Sequence, residues 1–128
     1  MELETLLKDL STLGLPEEEY VIVGSGPLGV RGIRETQDLD VIVSDKLWQN
    51  LSDKYPLTQD WGVDKLVLPK KEIEILGAGS AFRDPEIATI EKMIKTADII
   101  EGHRFLNLDL LKKFKTKMGR EKDLKDIE

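Results

Sequence analysis

Asp38 and Asp40 flank one apolar residue at the head of the β-rich run Leu39-Asp40-Val41-Ile42-Val43. In an extended chain successive side chains alternate faces, so both carboxylates project to one side while Leu39, Val41 and Val43 project to the other. Two acids that close repel each other unless a cation sits between them. Glu72 and Glu74 alternate with Ile73 and Ile75 in the same way, so a neighbouring strand can present a third carboxylate beside the pair. Three converging carboxylates point to a divalent metal, and oxygen-only donors favour Mg²⁺ or Mn²⁺ over zinc. Mg²⁺ takes one or two carboxylates and completes its octahedron with phosphate and water, so the missing partner is a phosphate.

Gly24-Ser25, at the end of the run Tyr20-Val21-Ile22-Val23, offers a place for that phosphate. Small residues let backbone N–H groups approach it, and a serine hydroxyl adds a donor. Arg31 and Arg34 lie just beyond. Glu72 and Glu74 are both candidates for the third carboxylate beside Asp38 and Asp40.

A strand, Gly-Ser, a short connection, Asp-x-Asp heading a second strand and a carboxylate on a third resembles the nucleotidyltransferase superfamily that includes DNA polymerase beta. Tyr20 to Leu76 carries that likeness. Asn107 to Glu128, with Leu108, Asp109, Lys115, Gly119-Arg120, Lys122-Asp123-Leu124 and Asp126-Ile127, resembles the tail of small prokaryotic nucleotidyltransferases related to abortive-infection toxins. The resemblance implies that Asp38 and Asp40 bind two metals, that Glu74 helps bind one and can activate the acceptor hydroxyl, and that Gly24 and Ser25 hold the triphosphate. It implies phosphate contacts for Lys115 and Lys122. The implied reaction moves a nucleoside monophosphate from an NTP to an acceptor hydroxyl and releases pyrophosphate. An RNA 3′ end, a protein hydroxyl and a small molecule all fit as acceptors.

Two other readings compete. Gly24-Ser25-Gly26-Pro27-Leu28-Gly29 satisfies G-x-G-x-x-G after a strand, and Asp45 stands where a dinucleotide-binding domain would place its ribose acid. Pro27, which lacks an N–H, and Gly32, which interrupts any following helix, argue against it. The third reading is an inactive nucleotidyltransferase fold serving as the binding module of a defence or toxin-antitoxin pair.

The elements that must position these residues follow from periodicity. Leu3, Leu6, Leu7, Leu10 and Leu13 have helical spacing, stopped by Gly14 and Pro16. The two β-rich runs read as neighbouring strands joined through a glycine-dense turn that supports only a short helix. Ser44 caps a helix from about Asp45 to Lys54, and Lys65–Leu68 and Glu72–Leu76 form a hairpin around Pro69-Lys70-Lys71. Asp84-Pro85-Glu86 opens a third helix, Asn107 caps a fourth, and Gly119 ends it before a short last helix from Glu121. The expectation is an α/β (α+β) domain spanning 1–128, with a small mixed sheet flanked by helices. Its core is about 20–76, and a helical C-terminal part covers about 84–128.

At 128 residues the chain suits one hydrophobic core, and 40% hydrophobic content is too apolar for a disordered tail. Without cysteine there is no disulfide framework, thiolate zinc site or cysteine nucleophile, and the single His103 excludes multi-histidine metal sites. His103, beside Gly102, reads as a surface residue without a catalytic task. Trp48 and Trp61 read as core or pocket wall. The formal charge is −6, yet residues 104–122 carry seven basic residues against two acids, so a basic edge adjoins an acidic body. Lys112, Lys113 and Lys117 read as a solvated face. No basic leader and no apolar run long enough to span a bilayer stand out, so the expected location is cytoplasmic, away from membranes.

Overall fold

The computed structural model describes residues 3–32, 38–60, 62–70 and 72–118. Among them, seven strands form one mixed sheet in the order β3-β4-β5-β2-β1-β7-β6. The central strands are β1 (Tyr20–Val23), β2 (Leu39–Val43) and β5 (Ile73–Leu76). On one side of them lie β3 (Leu57–Asp60) and β4 (Val63–Leu66), and on the other β6 (Asp98–Ile100) and β7 (His103–Phe105). The helices are α1 (Leu3–Thr12), α2 (Gly26–Gly29), α3 (Asp45–Ser52), α4 (Ile90–Lys95) and α5 (Leu108–Met118). None of these is long and apolar enough to cross a membrane.

The period-2 alternation of the central strands divides the core into two layers. Tyr20, Ile22, Leu39, Val41, Val43, Ile73 and Ile75 face α1 and α3, meeting Leu6, Leu10, Leu47 and Leu51. Val21, Val23, Ile42 and Leu76 face the opposite way onto Met93 and Ile94 of α4 and Leu110, Leu111 and Phe114 of α5. Polar caps fix where α3 and α5 begin. Ser44 Oγ accepts from the Leu47 N–H at 3.2 Å, and Asn107 Oδ1 accepts from the Leu110 N–H at 2.9 Å, each satisfying an N–H that the first helical turn leaves open.

Three expectations change. The helix expected from Asp84 starts later, because Asp84 Oδ1 accepts from the Glu86 N–H in a local turn while its other oxygen pairs with Lys117. Thr89 supplies the cap of α4 instead, accepting from the Lys92 N–H at 3.1 Å. The segment 84–118 is also not wholly helical: β6 and β7 form a hairpin through Glu101 and Gly102, at φ 54° and 78°. Two residues at positive φ make the turn whose twist suits a two-residue hairpin. Finally, β3 and β4 form a hairpin that the sequence did not suggest, while β4 pairs antiparallel with β5 as expected.

Ile75 sits at the centre of this arrangement, fully buried on β5. Ile75→Ala should lower unfolding stability by about 3 kcal/mol through lost burial and a residual cavity. Urea denaturation checks this, and a loss under about 1 kcal/mol would show that the two layers do not close on this strand.

Candidate metal and phosphate site

β2 and β5 run parallel, with Leu39 opposite Ile73, Asp40 opposite Glu74 and Val41 opposite Ile75. All four apolar members are buried, so a one-residue slip of β5 would turn Glu74 into the α1/α3 layer and take Ile73 and Ile75 out of it. The register therefore places Asp40 and Glu74 side by side at the open end of the α4/α5 face. Asp38 is exposed one step beyond the strand, and Glu72 lies in the turn before β5, where its carbonyl accepts from the Leu39 N–H at 2.7 Å. It is Glu74, not Glu72, that stands opposite Asp40.

On the other flank of β2, Val23 pairs antiparallel with Asp40, and the chain then turns at Gly24. Gly24 has φ 73°, and a Cβ there would fall 2.6 Å from Asp40 Oδ2. Only glycine lets the turn lie directly against the carboxylate. Ser25 follows at the N-cap position of α2.

The electrostatics show how closely the acids are held. Burial, the Glu74 charge and a hydrogen bond shared with Glu74 push the Asp40 carboxyl from 3.8 up to about 6. Asp38 adds to the rise, and Lys65 opposes it. Lys65 reaches across from β4, its Nζ 3.2 Å from Glu74 Oε2 and 3.4 Å from Asp60 Oδ2. Although burial works against its charge, Glu74 and Asp60 hold the ammonium above its ordinary pKa.

The donors here are oxygen only, the type a hard divalent cation prefers: two adjacent carboxylates with Lys65 beside Glu74, and the Gly24 turn packed against Asp40 Oδ2. Among the described residues no group of three or more His, Cys, Asp or Glu side chains is placed to hold a metal ion by itself.

The other expected contacts divide. The Arg31 guanidinium is already engaged, 2.5 Å from Asp98 Oδ2 and 2.6 Å from the Pro27 carbonyl, and it ties the end of α2 to β6. Lys115 is only 3% exposed on α5, whose Leu111 and Phe114 share a layer with Leu28 of α2. Lys112 and Lys113 face solvent. Arg34, Lys122, Arg120, Trp61 and the helix expected from Glu121 lie outside the described residues. The dinucleotide reading needs a parallel β-α-β unit, whereas β1 and β2 are antiparallel and Asp45 is exposed at the far end of β2, 3.7 Å from Arg83.

His103 is not a surface residue. It is 8% exposed at the start of β7, with Nδ1 2.9 Å from the Tyr20 hydroxyl and Nε2 3.2 Å from Ser11 Oγ, and burial lowers its pKa. Tyr20 opens β1 and Gly24 follows its end, so this cluster anchors α1 far from the carboxylates. A cavity of about 650 Å³, lined by Glu18, Ser44, Asp45, Ile90, Ile94 and Arg104 among others, opens at that same distant end. This cavity and the carboxylate pair therefore lie apart, and it is the pair whose geometry the core enforces. Lys65 is the participant that sequence patterning did not single out. Its alternation on a strand next to Glu74 was the available signal, but the partner depends on the β4–β5 register.

No family model, curated protein or solved structure matches the chain.

The Asp40 shift has a signed consequence. A carboxyl whose folded pKa is raised contributes stability that is complete below pH 3.8 and is lost as pH rises through about 6. The stability of the metal-free protein minus that of Asp40→Asn should therefore fall by about 2–3 kcal/mol between pH 3 and pH 8. Chemical denaturation at a series of pH values measures this difference, and a flat profile would contradict the close carboxylate pair.

Proposed function

We propose that the chain is a metal-dependent nucleotidyltransferase that moves a nucleoside monophosphate from an NTP to an acceptor hydroxyl, releasing pyrophosphate. The observation that carries this reading is the in-register pair Asp40 and Glu74 lying against the Gly24 turn. Acids held side by side at a strand end, next to backbone that can approach a phosphate, suit phosphoryl chemistry better than any other reaction class available to this chain.

In this reading Asp40 and Glu74 hold Mg²⁺ or Mn²⁺, with Asp38 at the exposed margin. The cation would offset the charge of the triphosphate and of the transferring phosphoryl group. The chain's own tasks are binding and orientation. In this reading the Gly24-Ser25 turn presents backbone to the phosphates, and Glu74 takes the proton of the attacking hydroxyl. Lys115 sits on the helix that packs over the same layer. The acceptor is a hydroxyl of an RNA 3′ end, a protein or a small molecule. The predominantly acidic body disfavours a broad nucleic-acid surface.

Because two carboxylates form only part of a cation shell, metal and nucleotide should bind cooperatively. Calorimetry should show NTP binding strengthened at least about tenfold by Mg²⁺ or Mn²⁺, with the gain abolished by Asp40→Asn. Pyrophosphate release from labelled NTPs, screened with cell RNA, protein and small-molecule acceptors, tests the transfer itself. NTP binding indifferent to both EDTA and Asp40→Asn would end the proposal. Cooperative binding without transfer to any acceptor would instead favour the inactive binding module.

A further inference from the structure

Lys65 differs from the surface ion pairs of this protein. The Lys95 and Glu91 side chains, for example, are 73% and 76% exposed, a setting in which an ion pair contributes little. Lys65 is 19% exposed and reaches two acids at once, Glu74 at 3.2 Å and Asp60 at 3.4 Å. The strand registers explain how. Lys65 stands opposite Leu76 on β5 and Thr58 on β3, so Glu74 and Asp60 are its diagonal neighbours on the same face of the sheet. Glu74 is the inner neighbour, adjoining Asp40, and the Asp60 side chain is the outer one, 55% exposed.

Two half-buried carboxylates side by side without a counter-charge would repel each other, and a divalent cation entering beside a fixed ammonium would be repelled. A flexible lysine with a second acid within reach avoids both problems. We propose that Lys65 is a built-in counter-ion for the Asp40 and Glu74 pair, holding the cation position in the metal-free protein and withdrawing to Asp60 when a divalent cation enters. The inference rests on the metal-binding reading of this pair and adds to it a device that sets cation affinity. The gain is a carboxylate pair that is neutralised when empty, with a cation affinity set by how readily Lys65 withdraws to Asp60.

The test is a Mn²⁺ titration followed by the electron paramagnetic resonance signal of the free ion, on the intact chain, with circular dichroism as the folding control. Lys65→Gln should bind Mn²⁺ at least about tenfold more tightly than wild type, and Lys65→Arg, which keeps the charge, should not. Asp40→Asn combined with Lys65→Gln should lose the gain. Asp60→Asn should weaken Mn²⁺ binding in the wild-type background, because Lys65 then has only Glu74, and should have little effect alongside Lys65→Gln.

Lys65→Gln that binds Mn²⁺ no better than wild type overturns the inference, as does a gain that survives Asp40→Asn. If the Mn²⁺ results follow the expected pattern while no acceptor hydroxyl is nucleotidylated, the counter-ion role stands and the transferase reading falls. If Lys65→Gln has no effect but nucleotide transfer still requires Asp40, the transferase stands and the counter-ion role falls.

Discussion

The parallel pairing of β2 with β5 is the constraint on which the rest depends. It is held by Leu39, Val41, Ile73 and Ile75, all buried against α1 and α3. Those four residues choose the register, and the register forces Asp40 against Glu74 on the opposite face. Apolar packing thus does the positioning, and the repulsion between two acids is tolerated because slipping the strand would cost more. The same logic places Gly24, since the antiparallel partner of Asp40 is the last residue of β1 and the chain must turn directly beside the carboxylate.

Electrostatics then complete what packing begins. Asp40 retains a proton to higher pH than an exposed aspartate, and Lys65 bridges from the neighbouring hairpin to relieve Glu74. In the proposed reading, a structural ion pair and a cation site use the same atoms. The buried His103, in contact with Tyr20 and Ser11, has a different task at the other end of the sheet, where it joins α1 to β1 and β7.

Much of the central architecture was legible in the sequence because pattern and packing agree there. Tyr20–Val23 and Leu39–Val43 are apolar enough to be strands in any context, and Ser44 and Asn107 sit one residue before α3 and α5 as their caps. The α/β class and the face carrying Asp40 follow from that. The edges were not legible. β3 reads Leu-Thr-Gln-Asp and is exposed throughout, so its sequence carries no buried periodicity, and β6 and β7 have three residues each. Asp84 misled because Asp before Pro resembles a helix start, while tertiary pairing with Lys117 engages its carboxylate. Lys65 escaped notice because its role depends on two non-local registers that no local pattern encodes.

The central claim is that the β2–β5 register builds a cation and phosphate site. Paramagnetic broadening of backbone amide resonances by substoichiometric Mn²⁺, recorded with and without an NTP, addresses it most directly. The account predicts broadening centred on Gly24, Asp40 and Glu74, deepened by the nucleotide and absent in Asp40→Asn. Broadening centred on another acidic surface, such as Glu17–Glu19, with those three resonances untouched, would contradict it.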